Sequence, residues 1–589
     1  MKSSEKKPRS HYSKSPSIVK PSGVRRFGRR EEIFILVGIL ALAAFLRVYH
    51  LGQSPPWMNV DEGATSWNSY CLLKTGMDQH GVRWPIFDSA GYGQGTTTLY
   101  LYLTIPFQAL GGLNAVTSRM PAALCGVMTV FLIYYVGKRL FGRGVGIAAA
   151  VLLALNPWHL QQSRWGHMAT LFPLISIAPL ATMLWAGFPF DDDDSRPMSP
   201  WKSGLAGAIG GIGCYGYYAA RLWVPIFYTA IVAATWRAWW NRLRTRQGLL
   251  AIGALLLTGL LTFGPLLWAT WRFPLASKRA EATWVWSPSD SLVTRIENIA
   301  VRYPGHFAPD FLFERGDPDP AYSPPNGYGL FLWYTAPMML LGLVFLIPSL
   351  KESRSARVLM TWVALYPLAD LFNEHPTMHA LRSLPGASAL TLLAAVGAVF
   401  SFRWLKGRRK KITIALTVLT FVFVLVSSGR FLGAFYVDFD KEPLKYFSSH
   451  QDLLQACEWL KPRLQDEDAV FVTGSGMSHP YIYTLVGLQY DPRQWFRDEK
   501  RMVEMQGAQS DRAYRNEEIC LRYGKLHFMF GNSARGDLEQ LVGGGRTARV
   551  VFIVHPGELP EERQIAPAYQ ISDPQGKPSL LIFEVTMGQ

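Results

Sequence analysis

Cysteine is scarce in this chain of 589 residues: Cys71, Cys125, Cys214, Cys457 and Cys520 are the whole complement. No CxxC pair and no Cys/His metal spacing occurs, which excludes a disulfide scaffold and a zinc module of the finger or ribbon kind. Cys125 and Cys214 fall in apolar runs, where packing is the ordinary role. Cys457 and Cys520 share the C-terminal region, and spacing alone leaves a disulfide between them open. Acidic residues are also in deficit, 43 Asp and Glu against 59 Lys and Arg, for a net charge of +16. That balance invites a nucleic-acid partner, but none is expected, because the basic residues do not form one folded face. Internal repeats are lacking. Gly474-Ser475-Gly476 lacks the third glycine of a dinucleotide fingerprint and reads as a turn.

Long apolar runs are abundant. The mean hydropathy of +0.09 averages two unlike regions: residues 33–432, mostly apolar runs split by short polar loops, and residues 433–589, which read as soluble protein. The basic residues cluster between the runs: the tail of residues 1–32, then Lys138, Arg139 and Arg143, then Arg237, Arg242, Arg244 and Arg246, then Arg403, Lys406 and Arg408 to Lys411. Placing these loops inside the cell predicts about eleven membrane-spanning helices. The N-terminus is then cytoplasmic, and outer loops cover 51–117 and 272–327. The apolar segment Thr97 to Leu110 is short for a span and contains Pro106, so it is expected to lie on or dip into the membrane. The predicted class is therefore a polytopic α-helical membrane protein of the cell membrane with a C-terminal extracytoplasmic domain. That domain reads as α/β: a helix over Asp452 to Gln465, and strands at Ala469 to Thr473, Leu526 to Phe530, Val550 to Val554 and Leu580 to Val585.

Candidate chemistry gathers in the outer loops. Asn59-Val60-Asp61-Glu62-Gly63-Ala64 lies just past the first span. Asp61 is read two ways, as a cap of the following helix or as a carboxylate that takes a proton from an acceptor hydroxyl at the bilayer surface. Outer-loop cations are Arg119, Arg164, Arg221, Arg272 and Arg382, each of which also suits interfacial anchoring. Asp310, Glu314, Asp317 and Asp319 read singly as solvated loop acids. Asp191 to Asp194 falls on the inner side without spaced partner ligands and reads as a solvated charge run.

From Asp61 to about Pro179 the chain resembles the GT-C glycosyltransferases of the protein O-mannosyltransferase and lipid A aminoarabinose transferase type. The matching pieces are Asp61-Glu62, Ser69 to Gly76, Leu99 to Leu103, Ser118 to Leu124, Lys138 to Gly142, and Asn156-Pro157-Trp158 leading to Ser163-Arg164. His379 to Pro385 is similar to the family's late Arg…Leu-Pro pattern. The resemblance implies an inverting transfer from a polyprenyl-phosphate sugar to a hydroxyl of a protein, lipid or polysaccharide. Asp61 would act as base with Glu62 beside it, and Arg119, Arg164, Arg221 and Arg382 would face the donor phosphate. Two departures stand out. The family's second acidic residue is absent from Trp165-Gly166-His167-Met168-Ala169-Thr170, where His167 could substitute, with or without a divalent metal. The lysine before the surface helix is replaced by Gly93-Gln94-Gly95-Thr96-Thr97. The missing carboxylate also keeps open a catalytically inactive assembly subunit. A transporter is disfavoured by the few acids within the apolar runs.

Overall fold

A computed structural model describes residues 28–56, 58–90, 95–272, 290–319, 322–371, 378–406, 409–477, 479–504, 518–531, 534–543, 547–559 and 565–587. The basic tail up to residue 27 and Asn373 to Pro376 lie outside the described residues.

In a bilayer every backbone polar group must find its partner within the chain, so apolar runs become helices. Ala115–Phe141, Met168–Trp185, Arg246–Arg272, Pro385–Lys406 and Lys411–Asp438 are long and apolar enough to cross a membrane. Tyr218–Ala234 with Trp236–Leu243, bent by 83°, makes a sixth if the pair is one span. Other runs that the charge pattern marks as spans are shorter helices, such as Arg143–Leu155, Pro200–Gly213, Thr335–Ser349 and Arg354–Leu365. The fold is thus a polytopic helical membrane protein with a C-terminal sheet; eleven crossings remain an expectation from charge.

Small residues let these helices approach closely, as lipid-embedded packing requires. Gly207 and Gly211 face Thr258 and Thr262 of Arg246–Arg272, and the Thr258 hydroxyl donates to Gly204 O at 2.6 Å. Gly342 and Gly397 form the equivalent seam between Thr335–Ser349 and Pro385–Lys406.

Strands β1 (Asp88–Ala90) and β2 (Gly95–Thr97) form an antiparallel hairpin ahead of the helix Leu99–Gly111. Thr97 therefore belongs to a strand, not to the helix. The 13-residue helix is about 20 Å long, short of the roughly 30 Å hydrocarbon core.

The helix Val60–Thr75 buries its apolar face against the C-terminal region. Ala64, Trp67 and Cys71 share a core with Leu453, Val470 and Tyr481 of the C-terminal region. Trp495 packs edge-on to Trp67 at 6.2 Å and donates its indole N–H to Gln79 O at 2.9 Å. The C-terminal region is thereby bolted onto the first loop.

The C-terminal sheet contains β3 (Ala469–Thr473), β4 (Lys500–Glu504), β5 (Glu518–Tyr523), β6 (Leu526–Met529), β7 (Ala548–Val554), β8 (Tyr569–Ser572) and β9 (Pro578–Met587) in the order β4-β5-β6-β3-β7-β9-β8. β3 runs parallel to both β6 and β7; the other pairs are antiparallel. The helix expected over Asp452 to Gln465 is Gln451–Leu460.

The pairing left open for Cys457 and Cys520 is answered: both are free. Cys457 sits under Gly487, while Cys520 on β5 turns its thiol to Arg522 O at 3.3 Å. Two expectations need correction. Asp191 is not solvated; it is buried and accepts from Arg139 Nη2 at 2.8 Å and Nε at 3.2 Å. Asp317 is likewise buried, 3.0 Å from His379 Nδ1.

Candidate active site

Asn59 opens the helix Val60–Thr75, its side chain accepting the Glu62 N–H at 2.8 Å. The cap position is thus filled, and Asp61 stands one residue inside the first turn. Its carboxylate is 19% exposed and lies 3.5 Å from His167 Nε2. His167 in turn starts the short helix Met168–Leu171, with Nδ1 accepting the Ala169 N–H at 3.1 Å. A ring nitrogen that accepts a backbone N–H carries no proton, so the neutral ring holds its proton on Nε2, facing Asp61. His167 can therefore orient Asp61 without holding a second negative charge beside it. Among the described residues no group of three or more His, Cys, Asp or Glu converges as a metal would require.

Glu62 points the other way. It is buried, meets Arg119 through two bonds (Nε–Oε1 2.6 Å, Nη2–Oε2 2.9 Å) and accepts the Gly166 N–H at 2.7 Å. Arg119 spends its remaining donors on the carbonyls of Leu51, Pro55 and Pro56. Both side chains are consumed in holding the first loop against the membrane helices. Arg164 is also fully buried, donating to Ser54 O at 2.8 Å and Leu46 O at 2.7 Å and lying 5.0 Å from the Tyr436 ring centre. Burial pulls its pKa down to about 10.

Arg221 is half-buried, stacks on Tyr218 at 4.3 Å and donates to Phe87 O at 3.4 Å. Nearby, Ile86, Leu99, Tyr102, Ile212, Tyr215 and Leu261 line an apolar groove of about 320 Å³. Arg272 is exposed at its helix end.

Two buried aspartates fix the segment that carries Arg382 through its backbone, and the Arg382 charge also acts on Asp370. Asp370 Oδ2 accepts the His379 N–H at 2.9 Å, and Asp317 Oδ2 accepts the Ala380 N–H at 2.6 Å. Burial, and then the negative charges of Asp61, Asp319 and Asp317, raise the pKa of the Tyr322 hydroxyl, while the positive charge of Arg382 lowers it. Tyr322 is wedged between Trp165, at 5.3 Å, and His379, at 4.6 Å. From the C-terminal region, His479 and Tyr483 also feel the charge of Asp61. The structure thus sets Asp61 beside His167, with the Asp61 charge felt at Tyr322 and His479 and the Arg382 charge felt at Tyr322. It leaves Arg119 and Arg164 in the frame, and Arg221 beside the groove. His479 sits in a turn with no motif around it, and nothing local in the sequence marks it.

Residues 97–268 match the family model described as dolichyl-phosphate-mannose-protein mannosyltransferase. The protein named "Putative mannosyltransferase YycA" of Bacillus subtilis (strain 168) is 28% identical over 137 residues, 23% of this chain and 19% of that protein. The chain thus matches about a fifth of that relative's length. The structure of ArnT from Cupriavidus metallidurans bound to undecaprenyl phosphate superposes with a TM-score of 0.54 at 13% identity, covering 94% of this chain and 98% of that one. The chain has the GT-C fold. The same ArnT in its apo state matches the GT-C chain with a TM-score of 0.50, again at 13% identity and over 94% of its length. At such identity the agreement is one of fold, and the arrangement of side chains has to be read from this chain itself.

Proposed function

We propose that this GT-C protein is an inverting glycosyltransferase that moves a sugar from a polyprenyl-phosphate donor to a hydroxyl acceptor on the extracytoplasmic face of the cell membrane. The observation that carries this reading is the part-exposed Asp61 carboxylate in the first turn of the helix Val60–Thr75, 3.5 Å from His167 Nε2, with the Arg382 charge felt in the same region. A carboxylate and a guanidinium at one centre suit a displacement in which a hydroxyl loses a proton and a phosphate leaves with the bonding electrons. The acceptor oxygen attacks the anomeric carbon from the side opposite the phosphate, so the configuration inverts. Asp61 takes the hydroxyl proton, an assistance typically worth about 10²- to 10⁴-fold. Arg382 stabilises the leaving phosphate, which then needs no proton donor. One carboxylate suffices, with His167 standing where the family carries its second acid.

Glu62 and Arg119 serve as frame, and Arg164 with them. The apolar groove beside Arg221 suits a polyprenyl chain lying along the membrane face with its phosphate drawn toward a cation. Support for a lipid-linked mannose donor also comes from the description of the matched family, and for a polyprenyl phosphate from the ligand named for ArnT. Residues 33–432 would carry the donor side and residues 433–589 the acceptor side, both at the outer surface.

The test is transfer from radiolabelled polyprenyl-phosphate hexoses to washed membranes by the purified full chain. Asp61→Asn preserves size and leaves the Asn59 cap intact. It is expected to lower transfer at least about a hundredfold while thermal unfolding stays near that of the natural sequence. Near-normal turnover by Asp61→Asn would overturn the assignment.

A further inference from the structure

In open α/β sheets, ligands bind outside the carboxyl ends of the strands, where the strand order reverses. In this sheet that place is β3: one parallel neighbour, β6, lies on one side and the other, β7, on the opposite side. The chain leaving β3 passes through the turn at Ser475-Gly476, where Gly476 has φ +70°. It then reaches His479, the residue before the helix Pro480–Gly487. That helix packs on the one bearing Asp61: a Cβ at Gly63 would lie 2.7 Å from Ile482 Cγ2. The carboxyl end of β3 therefore leads into a helix packed on the one bearing Asp61, and His479, at the head of that helix, is buried and within reach of that carboxylate's charge.

We propose that His479 is the acceptor-side residue of the centre, holding the attacking hydroxyl against Asp61. This rests on the reading of Asp61 as the base. The acceptor O–H donates to the Asp61 carboxylate while its oxygen accepts an imidazole N–H from His479, and the remaining lone pair points at the anomeric carbon. When the C–O bond forms, the proton passes to Asp61 and the electrons of the breaking bond leave with the phosphate. His479 gains and loses nothing. Its neutrality matters: burial pushes its pKa down to about 4 against the pull of Asp61, so it does not pair with the carboxylate as a cation and weaken its basicity. Tyr483, on the same helix, is kept un-ionised by burial and by the Asp61 and Glu62 charges. The adjoining sheet edge is polar. The Thr473 hydroxyl donates to Glu558 at 2.9 Å, and His555 lies 3.3 Å from Ser475 O. Such an edge fits a polar, hydroxyl-bearing acceptor arriving from the aqueous side.

The experiment uses the full chain, washed membranes as acceptor, and undecaprenyl phosphate as a separate donor-side probe. His479→Gln is expected to raise the half-saturating acceptor concentration at least about tenfold, the worth of one lost polar contact, with undecaprenyl phosphate binding unchanged. His479→Lys, which supplies a fixed cation, is expected to lower the maximal rate instead. Two outcomes refute the role of His479 while leaving the reading of Asp61 standing. One is natural acceptor saturation in both His479→Gln and His479→Ala alongside an inactive Asp61→Asn. The other is loss of undecaprenyl phosphate binding in His479→Gln. An active Asp61→Asn sinks both.

Discussion

Glu62 and Arg119 form a buried two-pronged ion pair, 2.6 and 2.9 Å long, that joins the helix Val60–Thr75 to the helix Ala115–Phe141. Removing one partner strands the other charge away from water, at a typical cost of about 3–5 kcal/mol. Glu62→Gln is therefore expected to unfold at a clearly lower temperature in detergent. Arg119→Lys should do the same, because an ammonium cannot rebuild the fork or reach three carbonyls together. A Glu62→Gln protein with unchanged melting but no activity would move Glu62 from frame to chemistry.

Arg382 should weaken donor binding when neutralised. Arg382→Gln is expected to reduce undecaprenyl phosphate affinity at least about tenfold, in line with loss of a charge-assisted contact. Asp317→Asn leaves the guanidinium in place but blunts the acceptor of the Ala380 N–H. It should weaken binding less and be partly restored at higher donor concentration. Isothermal titration of both variants checks the order; equal affinity in Arg382→Gln and the natural sequence removes Arg382 from the donor site.

Acid should loosen the protein through His479. Its folded pKa of about 4 lies below the ordinary value near 6.5. The unfolded chain takes up a proton as pH drops below about 6.5, while the folded chain does not until about 4. Stability is thus full above that window and falls through it, by up to about 3 kcal/mol. Carboxylates titrate in the same range, so the quantity to measure is the difference between the natural sequence and His479→Gln in urea unfolding at pH 7 and pH 4.5. The variant is expected to lose less; parallel losses would contradict the buried neutral ring.

Helix packing should be sensitive at glycines and indifferent one face away. A Cβ at Gly397 would run into Met338 O, whereas one at Gly253 would meet nothing within 4 Å. Gly397→Val is expected to cost about 1–3 kcal/mol or more through overpacking, with Gly253→Ala near neutral. Thermal unfolding and yield of folded protein decide this.

Local information in the chain marked what local physics determines. Apolar length marked the long helices, and five consecutive buried residues marked β3. β4, β5 and β8, at and next to the sheet edges, escaped notice because half-exposed strands mix polar and apolar residues without a clear period. The region around Asp61 was visible through its motif, but which residue caps the helix was not, since Asn59 and Asp61 are both competent caps. Whether an arginine is spent on a frame or left facing a site depends on partners far along the chain, such as Glu62 at 57 positions from Arg119. The same holds for Asp370 and His306, separated by 64 positions. His479 gave no signal because its neighbours there come from another region altogether.

The bolting of the first loop to the last domain also sets a schedule. Trp495 holds Gln79 from 416 positions away, and the core of the helix carrying Asp61, begun by Met58 and Leu113, is completed by residues from Leu453 onward. During synthesis that helix therefore waits, half-clad, until the C-terminal region is made and docks. On the reading of Asp61 as the base, a chain interrupted before that point would not transfer sugar.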